Sequence, residues 1–169
     1  ADHAQPLSSP FNGVGRTHSA MSPEQAAAFQ SSFAQVRRIG PIFAATFYRE
    51  LFAISPELQL LFGGDPIQQG KHLVAALSRI VDGIHAPEGV LPFARDLAVR
   101  HVGYGVEARH YITFATALMR TLRHELAQEF TPSVREAWGE AIELLSQTMM
   151  EAAYGADAPR AQTASLRAG

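Results

Sequence analysis

The 169-residue chain contains no cysteine. It therefore forms no disulfide, thiolate zinc site, cysteine-ligated iron–sulfur cluster or C-x-x-C-H cofactor attachment, and any metal is held by histidine, by carboxylate or within a non-covalent cofactor. Charge of either sign is also scarce in excess: 14 Lys and Arg oppose 16 Asp and Glu, a formal net charge of −2. Backbone neutralisation needs clustered cations, so neither a nucleic acid nor an anionic membrane surface is expected as a partner. No apolar run approaches the length that spans a bilayer, and no apolar core follows a basic start at the N-terminus, so a cytoplasmic location is expected. Sustained period-two alternation is missing too, which argues against strands.

What is present reads as one helical domain. Residues 1–21 and 155–169 are rich in small residues and lack periodicity, so both are expected to be flexible ends around a folded unit over 22–154. Ser22, Pro23 and Gln25 have the spacing of a capping box, and Phe29, Phe33 and Val36 follow on one face. Gly40-Pro41 separates this helix from a second, carrying Phe43, Phe47, Leu51 and Ile54 until Ser55-Pro56 stops it. A short apolar turn or helix closes at Phe62, and Leu73, Leu77, Ile80 and Ile84 repeat at helical spacing. A linker is expected at 85–89, with Pro92 in the first turn of the next helix and His101 at its end. A long helix over 108–127 follows, its stripe including Ile112, Ala115, Leu118 and Leu122. Thr131-Pro132 then caps a last helix bearing Val134, Trp138, Ile142, Leu145 and Met149.

The stretch "RHVGYGVEARHY", 100–111, fits two readings. Gly103, Gly105 and Ala108 match a dinucleotide-binding G-x-G-x-x-A fingerprint, which requires a strand before it and an acidic residue on a following strand. Phe93, Leu97 and His101 instead fall at i, i+4 and i+8, and the acidic candidate, Glu125, lies within a helical pattern. The glycines thus read as a helix stop and a turn. His101 alone, on an apolar face at a helix end, reads equally as a core or capping histidine.

Three segments in order give His101 another meaning. "FYRELFAISPELQLLF" (47–62), "LAVRHVGYGVEARHY" (97–111) and "AWGEAIELL" (137–145) resemble the globin family, in particular single-domain bacterial globins and the haem domain of flavohaemoglobins. The resemblance covers about 22–153 and implies an all-α globin fold, a three-over-three helical sandwich around haem b. It implies His101 as the proximal ligand of the iron through Nε2, Phe62 as the aromatic on the haem face, and Tyr48 as the ligand-side tyrosine. Gln69, seven residues after Phe62, takes the distal position, with Leu73 over the iron. In a register shifted by three, His72 is distal instead and Ala76 lies over the iron, so His72 stays beside Gln69 as a candidate.

These roles make chemical sense. A neutral imidazole binds iron, and its second nitrogen can donate to a carbonyl one turn back, which sets the tautomer. Phe62, Leu73, Leu97 and Val106 supply an apolar slot. Tyr48 and Gln69 supply donors toward a bound O2 that carries partial negative charge. Tyr111, ten residues after His101, matches a proximal tyrosine of flavohaemoglobins, whose glutamate partner falls at Ala153 here, with Glu151 half a turn away.

The resemblance implies reversible binding of O2, NO and CO, oxygen transport among the functions that follow, and NO dioxygenation if the protein is an enzyme. That reaction needs an electron donor, expected to be a separate reductase. A gas sensor acting through a partner or output domain, and a haem-free interaction module, remain the alternatives.

Overall fold

The computed structural model describes residues 21–83 and 87–155. The expected flexible ends fall outside the described residues except for Met21 and Gly155. Among the described residues six α-helices form: α1 (Pro23–Arg38), α2 (Gly40–Ile54), α3 (Pro66–Asp82), α4 (Pro87–Gly103), α5 (Ala108–Leu126) and α6 (Pro132–Tyr154). Short 3-10 segments at Pro56–Leu61 and Ala127–Glu129 follow α2 and α5. No strand occurs among the described residues, so the fingerprint at 103–108 has no strand ahead of it.

Local chemistry places the helix starts. Ser22 and Gln25 form the reciprocal capping box, Gln25 N–H donating to Ser22 Oγ at 3.1 Å and Ser22 N–H to Gln25 Oε1 at 3.0 Å. Asp65 caps α3 by accepting from Ile67 N–H at 3.0 Å, and Thr131 caps α6 by accepting from Val134 N–H at 3.3 Å. A cap contributes about 1 kcal/mol, whereas each buried Phe contributes about 1.5–3 kcal/mol. Caps therefore set where helices begin, and burial sets how they pack.

α4 departs from expectation at both ends. It begins at Pro87, so Pro92 lies inside the helix and 87–89 are helical rather than linker; residues 85 and 86 lie outside the described residues. Pro92 at the sixth position removes one ladder donor near the start of the helix, a loss that the remaining turns tolerate. The helix also continues past His101 to Gly103.

α1 packs against α3 and α6, α5 against α2 and α6, α4 against α6, and α3 against α2. Two apolar clusters result. The larger gathers Phe29, Phe33, Phe43, Phe47, Leu51, Leu122 and Trp138. The smaller gathers Ala94, Ala98, Val106, Tyr111, Met149 and Met150 between α4, α5 and α6. Leu61 and Phe114 pack against both.

Two glycines permit close approach. A Cβ on Gly70 would stand 2.9 Å from the Ala44 Cβ, so α2 and α3 cross almost backbone to backbone. Gly105 adopts φ +87°, which an L side chain rarely does, and a Cβ there would meet Leu61 at 3.3 Å.

Candidate functional site

His101 sits half-buried in the last turn of α4, with Nδ1 2.7 Å from the Leu97 carbonyl oxygen one turn back. A carbonyl only accepts, so Nδ1 carries the hydrogen and the lone pair is on Nε2. No hydrogen bond reaches Nε2 among the described residues. Burial holds the imidazole pKa below its usual value; the Leu97 bond opposes that shift and the Arg100 charge adds to it. The ring is thus neutral near pH 7 and presents a bare, basic nitrogen.

Aromatic rings lead away from it. The Phe114 ring lies 6.4 Å from the His101 ring and 6.3 Å from that of Phe62, edge-on to both. Phe62 meets Tyr48 at 5.4 Å, and Tyr48 stacks with Phe52 at 5.9 Å. Sequence reasoning missed Phe114 and placed Ile112 in the buried stripe of α5. Ile112 is exposed, while Tyr111 and Phe114 turn inward. The spacing 111, 114, 118 was the available signal, since it continues one helical face.

Leu73 packs against the larger cluster and Leu97 against the smaller, both half-buried, as are Leu61, Phe62 and Phe114. Val106 is buried in the smaller cluster. Leu61, Phe62, Leu73, Leu97 and Phe114 are thus each left partly open. Among the described residues no three histidine or carboxylate side chains gather to hold a metal ion directly. A single bare imidazole nitrogen beside half-open aromatic and aliphatic groups fits a flat, apolar, metal-bearing cofactor better than a hydrated ion.

The remaining candidates divide. The Tyr48 hydroxyl donates to the main-chain carbonyl of Gln69 at 3.3 Å, and burial pushes its pKa up to about 12, so it stays a donor. The Gln69 amide lies toward the corner, where a Cβ on Gly64 would meet its Nε2 at 3.2 Å. His72 is exposed. Tyr111 is buried and its hydroxyl has no hydrogen-bond partner among the described residues; burial, helped by Tyr154, pushes its pKa up to about 12. The Nδ1 bond of His101 goes to Leu97 and not to this hydroxyl. Glu151 is exposed and accepts from Gln147 at 2.7 Å, and Ala153 packs against the smaller cluster.

No helix among the described residues is long and apolar enough to cross a membrane. The globin family model matches residues 45–149. The chain is 29% identical over 146 residues to a flavohemoprotein of Bordetella parapertussis, covering 83% of this chain and 36% of that protein. It is 26% identical over 128 residues to a flavohemoprotein of Vibrio cholerae, covering 72% and 32%. It is 27% identical over 114 residues to flavohemoprotein A of Dictyostelium discoideum, covering 67% and 29%. The chain spans about a third of the length of these curated relatives.

Proposed function

The chain belongs to the globin family, and from that premise we propose that it holds haem b through His101 and binds a diatomic gas on the Tyr48 side. The observation that carries the reading is the Nδ1–H donation to Leu97 O at 2.7 Å, which fixes the tautomer and leaves Nε2 free to ligate. Phe62, Leu73, Leu97 and Val106 would hold the macrocycle, with Phe114 added by its place between His101 and Phe62. Haem, when bound, supplies an iron that takes O2, NO or CO.

The protein's own groups do the rest. The Tyr48 hydroxyl, kept protonated by burial, donates to a ligand oxygen carrying partial negative charge. The half-buried rings of Phe52, Phe62 and Phe114 line that side with apolar surface, where a lower local dielectric would strengthen the bond. Gln69, on α3 beside Tyr48, is the second donor in this reading, and exposed His72 is not one. The activity we propose to follow from gas binding is NO dioxygenation, in which NO and O2 combine with one electron from a reductase to give nitrate. The relatives' name, flavohemoprotein, joins flavin to haem, which supports a flavin-bearing reductase as the electron source.

The test is the absorption spectrum of purified, haem-supplemented protein in ferric, ferrous and CO-bound forms. A Soret band lost in His101→Ala is expected, and a parent protein without the band sinks the reading. Nitrate yield from NO, O2 and an added reductase tests the activity; oxygen binding without nitrate would refute the dioxygenase and leave a gas carrier.

A further inference from the structure

The starts of α1 and α6 are capped by groups that do not titrate near neutrality, Ser22 with Gln25 and Thr131, whereas α5 is capped by an imidazole. Glu107 is the extended residue just before α5. Its N–H donates to His110 Nδ1 at 2.9 Å, and His110 N–H returns to Glu107 O at 3.0 Å. Gln25 plays the same part in α1, where its Oε1 accepts from Ser22 N–H. The Glu107 carboxylate pairs with Arg109 Nε at 2.7 Å.

The bond ties His110 to one protonation state. A ring nitrogen that accepts carries no hydrogen, so Nδ1 holds the lone pair and Nε2 the hydrogen. His110 is 4% exposed, and its Nε2 has no partner among the described residues. An imidazolium carries hydrogen on both nitrogens. Its Nδ1–H would face the Glu107 N–H, donor against donor, so proton uptake and this cap exclude each other.

The titratable groups around the turn leave that step to histidine. Arg109, by its hydrogen bond and then its charge, holds the Glu107 carboxyl below the usual range, and Glu107 in turn keeps Arg109 protonated. Glu57, on the 3-10 segment after α2, acts on Arg109 by its charge. From α6, the Tyr154 hydroxyl donates to Val106 O at 2.9 Å, and burial raises its pKa, as it raises that of Tyr111 on α5. The end of α4 brings Arg100 and His101, whose imidazole burial holds below its usual value. Glu107, Arg109, Tyr111 and Tyr154 thus keep their charge states between about pH 5 and about pH 8, where an imidazole changes its own.

We propose that His110 is an acid-sensitive cap: a proton on its Nδ1 releases the Glu107 N–H and loosens the join between α5 and the turn that follows His101. The device belongs to the chain itself and rests on neither haem nor gas binding. It places the first acid-induced opening at this turn and not in the core.

The test is amide hydrogen exchange on the full chain, corrected for the intrinsic pH dependence of exchange, with imidazole nitrogen shifts read alongside. Between about pH 7.5 and about pH 5 the protection of the Glu107 amide is expected to fall about five-fold, the ratio equivalent to ~1 kcal/mol for one cap, while Ala117 and Leu122 in the core stay protected. His110→Gln puts in an acceptor like that of Gln25 that does not titrate, and its Glu107 amide should be equally protected at both pH values. His110→Ala should lose the protection at both. Equal protection of the parent at both pH values overturns the proposal, and so does a hydrogen on Nδ1 at about pH 7.5. The same acid loss in His110→Gln as in the parent also overturns it, because another group would then be the one that titrates.

Discussion

The hydroxyl of Tyr48 rests 3.3 Å from the main-chain carbonyl of Gln69, across the crossing of α2 and α3, and not on the Gln69 amide. Good O–H···O bonds are nearer 2.7–2.8 Å, so this is a weak bond, readily exchanged for a better acceptor. The two expected donors are therefore unequal: Tyr48 is held beside the apolar rings, and the Gln69 amide lies over the corner by Gly64.

Tyr48→Phe is expected to speed O2 release by roughly ten-fold, the loss of a hydrogen bond near the upper end of the 0.5–1.5 kcal/mol range. Gln69→Leu is expected to change it less. Stopped-flow displacement of O2 by CO measures both, and equal effects would refute the asymmetry.

Gly70→Ala tests the helix crossing that brings Tyr48 to Gln69. The new methyl would stand 2.9 Å from the Ala44 Cβ, which cannot rotate away, so the helices must part. Overpacking of this kind costs about 1–3 kcal/mol. A lowered melting temperature with faster O2 release is expected; a melting temperature equal to the parent's would show that the crossing has slack.

Ser32→Ala removes the partner of the buried indole. Trp138 Nε1–H donates to Ser32 Oγ at 2.8 Å, and Ser32 in turn donates to Phe29 O at 2.7 Å. An N–H left unpaired at a 1%-exposed side chain costs about 1–3 kcal/mol. At about 2–4 °C per kcal/mol for a domain of this size, the melting temperature should fall by several degrees. Fluorescence of this single tryptophan should report the loss.

Alkaline pH should expose the two inner phenols. Burial raises Tyr48 and Tyr111 from 10 to about 12, so the folded state favours their neutral forms. Their contribution is fully present below pH 10 and is lost as pH rises through 12, because the unfolded chain ionises first. Absorbance near 295 nm should show a late phenolate step, removed by joint replacement of Tyr48 and Tyr111 with Phe. A single step near 10 for all four tyrosines would contradict the burial.

Much of the architecture was legible because its causes are local. Ser22 with Gln25, and Thr131 with Val134, act within three residues, so caps could be read from spacing. The stripes of α1, α2 and α6 follow from periodicity. α4 was misjudged because Pro92 suits a first turn as well as it suits the position it holds five residues in. The stripe of α5 holds at Ala115, Leu118 and Leu122 and fails at Ile112 alone, because tertiary packing there selects the face that carries Tyr111 and Phe114.

The sequence by itself determined that the described residues are all-α, and it singled out His101, Phe62 and Tyr48, which lie within the stretch that the globin family model matches. Only the tertiary structure decided which imidazole nitrogen is bare, that Tyr48 meets a carbonyl, that Phe114 stands between His101 and Phe62, and that Tyr154 holds Val106. The reason is range: capping and periodicity act over one turn of chain, whereas a hydrogen bond spanning 21 or 48 residues exists only once helices have crossed.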